Sequence, residues 1–444
     1  MRKLLALFLL LSVTSFCYSQ TNFFDNYVYQ SWSAFNGLSG TTANDIFQTR
    51  DGYINTGTYE GLVKFDGVEF TTINRVTNKD YGFVSVRTIL QDTRGDIWLG
   101  SNDEGLQKIS DAGNKIYTME NGLPNNSVRT LCEDKRGNIW VGTASGVVYL
   151  TPDGKLLTPQ FGAGTTANGV ITSHLYCDDA GRIWLTTSNE NGLFLCQDGI
   201  FKQLDEFEKF STYFATSIYQ DKDGRFWIGL GDRGMALMEN GNVRILKTGT
   251  LLDSIPTCTI LQDRSGIIWF GTEHGMVVYA NGKFVEYNGA PELAGSNINK
   301  IIQDREGNVW FATDRNGIGK MTQGKFKLHR LGLTVNSIAQ DKNGTIWAGT
   351  DDGVLCYVDE EPVENMLTKY TKGVRIRHVE ATPEGKLLVS CYTKLGQLLY
   401  DGKTIKGWTT DEGLAGNKVR VAIETAPDEY YVGTTTGLSI IHKD

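Results

Sequence analysis

The sequence predicts an all-β fold, a β-propeller of four-stranded blades, on three observations. A Gly-x-(Ile/Phe/Val)-Trp tetrad recurs seven times, ending at Trp98, Trp140, Trp184, Trp227, Trp269, Trp310 and Trp347, with spacings of 42, 44, 43, 42, 41 and 37 residues. Each tetrad closes an Asp-x-x-Gly turn between two short runs of alternating apolar residues. The chain carries 51 glycines and 8 prolines, a turn-rich composition. A strand-rich unit repeated every ~40–45 residues is the pattern of a propeller blade.

The full unit reads Asp-x-x-Gly-x-Ile-Trp-x-Gly-Thr followed by Gly-Leu/Val/Met, as in Asp134 to Thr143 with Gly146-Val147. Degenerate copies flank the seven. Asn55, Leu388 and Tyr431 stand in the tryptophan place, which brings the count to ten repeats. Within one repeat, Ser127 to Glu133 is the first strand and Asp134 to Gly137 a tight hairpin in which Asp caps the turn and Gly takes the positive-φ position. Asn138 to Gly142 is the second strand, Val147 to Leu150 the third, and Lys115 to Thr118 of the preceding unit shows the weaker fourth. Period-2 alternation sets Trp140 opposite Ile139 and Val141. Blades pack face to face, so both faces are expected to be buried. Each indole then contributes up to ~4–6 kcal/mol, from ~150–250 Å² at ~25 cal/mol per Å². The seven tryptophans are therefore read as structural.

Tyr27 to Leu38 resembles a fourth strand with its exit turn, and Leu438 to His442 a third strand at the other end. The N-terminal strand is thus expected to complete the last repeat and close one ring of ten, removing its open edge. The rival arrangement is a seven-bladed ring from the first seven repeats followed by three more blades. The short 37-residue spacing falls just after the seventh repeat. The corresponding domain readings are residues 20–444 as one propeller, or residues 20–321 and 322–444 as a complete and a partial one.

Residues 1–19 read as a cleavable secretory leader. Arg2-Lys3 precede the apolar run Leu4 to Val13, and Cys17-Tyr18-Ser19 supplies the cleavage site before Gln20. Phe16 is too large for a lipobox, so Cys17 is not read as a lipid anchor. No later run is long and apolar enough to span a membrane. Export to the periplasm or the cell exterior is the expected location. Without Arg2 and Lys3 the chain holds 41 basic and 51 acidic residues, a balance of −10. That excludes nucleic acid and anionic membrane surfaces as natural partners. Six cysteines follow the leader. Cys132, Cys196, Cys356 and Cys391 lie in predicted strands, where free thiols act as small hydrophobes, so no structural disulfide is expected.

Candidate binding residues are read from where the repeats differ. The Asp-x-x-Gly hairpins are nearly uniform; even Asp221-Lys222-Asp223-Gly224, spaced like part of a calcium loop, is one more hairpin. No metal or cofactor is expected. The turns between second and third strands vary instead. They hold Tyr59 and Glu60, Asp103, Asn189, Asp232 and Arg233, Glu273 and His274, Asp314 and Arg315, Asp351, and Tyr392. The lead-ins to the first strands lie on the same rim and carry Arg87, Arg129, His174, Arg377 and His378, and Arg420. Asn299-Lys300 and Asn336 occupy equivalent places. Unlike side chains on a repeated frame make an asymmetric polar funnel, suited to ligand binding on loops held by a rigid scaffold. Tyr59, Tyr213 and Tyr392 are placed to stack on sugar rings. His174 and His378 occupy one repeat position, five blades apart in a ring of ten, too far to share a metal.

The segments Gly122 to Val147 (GLPNNSVRTLCEDKRGNIWVGTASGV) and Ile260 to Met276 (ILQDRSGIIWFGTEHGM) resemble the repeats of the bacterial two-component regulator propeller family, over roughly Tyr27 to His442. The resemblance implies an extracytoplasmic sensor region, commonly of two seven-bladed rings on a membrane kinase or cyclase, with carbohydrate-responsive members. This sequence departs from that plan in having no membrane helix, no kinase or cyclase, and too few repeats for two rings. The leading expectation is a non-enzymatic ligand-binding sensor for a small polar or carbohydrate ligand, signalling through a membrane-bound kinase or cyclase partner. A protein-interaction scaffold is the alternative. A further one is an enzyme resembling the streptogramin lyases, whose propellers use a histidine base and a metal. His274 beside Glu273 would then be the base.

Overall fold

The computed structural model describes residues 23–162, 170–188, 192–197, 199–204, 214–287, 293, 295–324 and 331–442. The leader, Asn189 and Tyr213 lie outside them. Among the described residues no helix is long and apolar enough to cross a membrane. The described residues form ten sheets, antiparallel apart from one short parallel pairing in the fourth. Blades 1 to 10 are numbered by their first strands: Asp45–Gln48, Thr88–Gln91, Val128–Glu133, Thr172–Cys177, Ser217–Gln220, Thr257–Gln262, Ile298–Gln303, Val335–Gln340, Ile376–Ala381 and Val419–Ala426.

Blade 3 shows how the repeat folds. Its first strand pairs with Ile139–Thr143, which pairs with Gly146–Leu150, which pairs with the short outer strand Leu156–Leu157. The hairpin Asp134–Gly137 closes with the Gly137 N–H donating to the Asp134 carbonyl at 2.9 Å, and Gly137 takes φ +77°. Ile139 to Thr143 is buried along its whole length, as a strand packed on both faces requires. All seven repeat tryptophans are buried, from 0% exposed at Trp269 to 7% at Trp347. Blade 4 has an addition with no counterpart in the repeat, the two-residue strand Gln160–Phe161 lying parallel to Ile200–Gln203. A five-residue α-helix, Met366–Tyr370, capped by the Asn365 side chain, precedes blade 9.

The chain divides into two compact units, Gln20–Leu328 and His329–Asp444. The first closes as a ring of seven blades, and here the expectation of one ring of ten is corrected. The N-terminal strand Tyr27–Trp32 does not complete the last repeat. It pairs antiparallel with Ile318–Gln323 and becomes the fourth strand of blade 7. Blade 10 has three strands among the described residues. Aromatic packing anchors the N-terminal strand: Trp32 stacks on Trp310 with centroids 5.3 Å apart, and Tyr29 on Phe311 at 6.0 Å. Blade 1 then meets blade 7 directly. The Ala43 N–H donates to the Thr313 carbonyl at 2.8 Å, and Trp310 shares a core with Ala43, Ile46 and Ile54 of blade 1.

A latch recurs around this ring. The residue before each turn aspartate reaches the hairpin of the preceding blade and accepts a backbone N–H. Gln91 accepts from Arg50 at 2.8 Å, Glu133 from Thr93 at 2.8 Å, Gln220 from Asp179 at 2.9 Å, Gln262 from Lys222 at 2.7 Å and Gln303 from Arg264 at 2.9 Å. Gln48 of blade 1 accepts from Arg305 of blade 7 at 2.8 Å and completes the circle. Between blades 3 and 4 the glutamine place is taken by Cys177, whose thiol donates to the Asp178 carbonyl at 3.7 Å and lies close enough to Lys135 to feel its backbone N–H. Among the described residues Cys132, Cys177, Cys258, Cys356 and Cys391 form no disulfide.

Candidate functional site

Within each unit, the variable turn and the first-strand lead-in of a blade meet on the same side through a repeated backbone bond. The N–H opening the turn donates to the carbonyl of the lead-in: Ala144 to Ser127 (3.0 Å), Glu273 to Pro256 (3.1 Å), Asp314 to Asn297 (3.1 Å), Asp351 to Thr334 (3.2 Å) and Tyr392 to Arg375 (2.8 Å). This fixed backbone holds side chains that differ from blade to blade.

In the seven-bladed unit, one lead-in position shows the contrast between structure and surplus. Asn44 donates to the Val86 carbonyl (2.9 Å), Thr216 to the Thr257 carbonyl (2.7 Å) and Asn299 to the Ala43 carbonyl (2.8 Å), each reaching the next blade. Arg87 and Arg129 occupy the same position and make no such bond. Arg87 donates to the Asn102 side chain at 3.1 Å. Burial lowers its guanidinium from the usual value, and the nearby charge of Arg129 adds to this. The Arg129 Nε is enclosed without an acceptor among the described residues. One residue further, Asp45 is buried and its carboxylate caps the Ile89 N–H at 2.8 Å. Burial pushes its pKa up, against the opposing pull of Lys300 and the Ile89 N–H. His174, at the equivalent place in blade 4, has an enclosed Nδ1 without a partner among the described residues. Burial, followed by the Lys300 charge, pushes its imidazole down to about 3, so it is neutral at physiological pH.

Several predicted rim charges are taken up by their neighbours. Asp232 faces Arg233 at 3.6 Å, and Asp314 faces Arg315 at 3.3 Å while accepting the Asn297 N–H at 2.9 Å. Glu60, Asp103, Glu273 and His274 are exposed, and Tyr59 is 53% exposed. Glu273 and His274 share no side-chain hydrogen bond among the described residues. Burial, with the Glu273 and Asp314 charges, raises the Cys258 thiol to about 12, which leaves no thiolate nucleophile there. No group of three or more metal-ligating side chains occurs among the described residues.

The unit His329–Asp444 brings four of the predicted residues together. Tyr392 has Arg377 at 5.1 Å and Arg420 at 5.8 Å from its ring centroid, and two cations that sequence reasoning left out, Lys418 at 5.6 Å and Arg375 at 5.9 Å. Asp351 accepts from Arg375 Nε and from Asn336 Nδ2, each at 2.9 Å. The Asn336 bond and the Arg375 charge hold its carboxyl below the usual range. The Arg377 Nε and the His378 Nδ1 are enclosed without partners among the described residues. Burial lowers the His378 imidazole, partly offset by Glu380. His174 and His378 belong to different compact units, so their expected placement across one ring does not apply. A signal for the missed cations was present in the repeats. Blades 2 and 3 enter with Ser-Val-Arg (Ser85 to Arg87, Ser127 to Arg129), whereas blades 9 and 10 enter with Arg375-Ile376-Arg377 and Lys418-Val419-Arg420.

The two-component regulator propeller profile matches residues 80–103, 122–145, 209–232, 292–315 and 330–352, so the chain carries repeats of that family. Two extracellular domains of hybrid two-component systems from B. thetaiotaomicron share its architecture. The first aligns at TM-score 0.65 and 19% identity over 93% of this chain and 65% of that one. The second aligns at 0.55 and 18% over 94% and 58%. The chain thus spans less than two thirds of either domain. Virginiamycin B lyase from Staphylococcus aureus aligns at TM-score 0.54 and 17% identity over 67% of this chain and 99% of the lyase. No curated protein sequence matches the chain. At these identities the likeness is one of fold.

Proposed function

We propose that this chain, carrying two-component regulator propeller repeats, is a non-enzymatic extracytoplasmic sensor propeller. It recognises a small polar ligand such as an oligosaccharide on the variable rim and passes the signal to a membrane-bound kinase or cyclase partner. The observation that supports this is the confinement of chemical variety to one rim. In the seven-bladed unit the hairpins on the other side repeat nearly the same turn and latch, while the rim residues differ among most blades, from amides at Asn44 and Asn299 to cations at Arg87 and Arg129. Rigid frames with variable loops are how repeat scaffolds acquire binding faces. The extracellular sensor domains of similar architecture favour export and signalling over catalysis. The lyase likeness adds no comparable support, because among the described residues exposed His274 has neither a side-chain hydrogen-bond partner nor a metal-ligating cluster beside it.

Isothermal titration of the full chain against an oligosaccharide library, with and without EDTA, tests the reading. Saturable, metal-independent binding without turnover is expected. Turnover abolished by EDTA would replace the sensor with an enzyme. Silence in titration, with capture of a membrane protein by the immobilised chain, would favour an interaction scaffold.

A further inference from the structure

We propose that the Tyr392 rim of the unit His329–Asp444 is an oxyanion site, and that the ligand read there carries carboxylate or sulfate groups. The inference rests on the reading above that this rim binds a small ligand, and it names the chemical class.

Charge density carries the argument. The chain as a whole is acidic, at −8, yet four cations lie within 6 Å of one ring centroid. A tyrosine ring has two faces, and its quadrupole offsets about one cation on each. Asp351 is the only carboxylate in ion-pair contact with any of the four among the described residues, and it engages Arg375. Arg377, Lys418 and Arg420 have no carboxylate in ion-pair range there. Like charges held this close repel unless an anion joins them. The enclosed Arg377 Nε, lacking an acceptor, gives the cluster a donor with unused bonding capacity, and an unmet buried donor is costly.

The same position in the neighbouring blade shows what a purely structural residue does. Asn336 donates to the Ile376 carbonyl at 2.8 Å and ties blade 8 to blade 9. Arg377 and Arg420 replace that amide with guanidinium groups, whose planar forks match carboxylate and sulfate oxygens. Residues two positions earlier, Arg375 and Lys418, add charge where blades 2 and 3 place serine. The substitutions are paired and confined to consecutive blades, so they converge on one point of the rim.

The test titrates the full chain with a heparin-derived hexasaccharide, tri-galacturonate, cellohexaose and sodium sulfate. Lys418 and Arg420 are exposed, so the double variant Lys418→Ala/Arg420→Ala should melt with the wild type. The acidic saccharides are expected to bind and cellohexaose not to. Affinity should fall as salt rises from about 50 to about 500 mM. The double variant should lose at least about tenfold in affinity, a modest loss for two charge-assisted contacts. Acidic saccharides binding the double variant with wild-type affinity would overturn the proposal. Cellohexaose binding as tightly as tri-galacturonate would overturn it while leaving the ligand-sensor reading intact. Sulfate binding without any saccharide would support the anion site and remove the oligosaccharide from the proposed function.

Discussion

The Oδ2 of Asp134 accepts the indole N–H of Trp140 at 2.9 Å. The same bond joins Asp92 to Trp98, Asp178 to Trp184, Asp221 to Trp227, Asp263 to Trp269, Asp304 to Trp310 and Asp341 to Trp347, at 2.8 to 3.0 Å. The aspartate thus does two things at once. Its Oδ1 caps the turn through the Arg136 and Asn138 N–H groups at 2.9 Å, and its Oδ2 satisfies the polar edge of a buried ring. In the three repeats without tryptophan, threonine replaces the aspartate: Thr49 with Asn55, Thr382 with Leu388, Thr425 with Tyr431. In blade 1 the Asn55 amide donates to the Thr49 hydroxyl at 2.8 Å, a smaller version of the same pair.

Trp140→Phe and Asp134→Ala are therefore expected to be coupled. Asp134→Ala leaves the buried indole N–H without its acceptor, Trp140→Phe removes one of the two side-chain donors to Asp134 Oδ2 (Asn138 is the other, at 2.8 Å), and a double-mutant cycle should give an interaction of about 1–3 kcal/mol. Additive losses in urea unfolding would contradict the pairing.

Ring closure depends on Gly317, which takes φ +68° and lies against the Trp32 carbonyl oxygen, where a Cβ would collide. Gly317→Ala should weaken docking of the N-terminal strand by at least ~1 kcal/mol from the backbone conformation alone, with the collision adding to it. Faster hydrogen exchange over Tyr27–Trp32, with blade 4 unchanged, is the expected readout.

Cys177 is the one latch position of the seven-bladed ring that carries neither glutamine nor glutamate. Cys177→Gln should supply a full amide acceptor for the Lys135 N–H and raise stability by about 1 kcal/mol. A melting temperature at or below that of wild type would show that the site cannot accommodate the longer side chain.

His174 gives the seven-bladed unit a pH dependence. Its folded pKa lies at about 3, against about 6.5 for an unfolded histidine. Between these values the unfolded chain binds a proton that the folded one refuses, so stability is full above about pH 6.5 and declines as pH falls toward 3. His174→Gln should flatten the melting temperature between pH 7.5 and pH 4.5. An unchanged slope would assign the acid sensitivity to other groups.

His274 separates sensor from enzyme. As an exposed residue without side-chain hydrogen bonds among the described residues, His274→Ala should change stability by less than about 0.5 kcal/mol. It should leave acidic-saccharide binding at the Tyr392 cluster, which lies in the other unit, unaltered. Any loss of a measurable turnover in this variant would speak for catalysis.

Much of the scaffold was legible in the chain itself. Repeat period, strand order, the burial of Trp140 and the uniform hairpin at Asp134 all follow from local pattern, because each blade is largely made of contacts within some forty residues. The rim was legible as a list of positions but not as groupings. The pairing of Asp232 with Arg233 and of Asp314 with Arg315 needs side-chain directions that adjacency alone does not give, and no local pattern shows that Arg375 and Lys418 join Arg377 and Arg420 around Tyr392. Those relations are set by side-chain direction and by contacts some forty residues apart.

The sequence by itself determined the kind of building block and how many there are. It could not determine where the ring closes. Tyr27–Trp32, Lys115–Tyr117 and Ile405–Trp408 are all outer strands followed by a capped turn, and backbone hydrogen bonding does not distinguish among partners. Tertiary structure chose Ile318–Gln323 as the partner of the first strand, because Trp32 and Tyr29 match Trp310 and Phe311 and because Gln48 meets Arg305. Side-chain complementarity across ~250 residues, invisible to any local period, set the ring at seven.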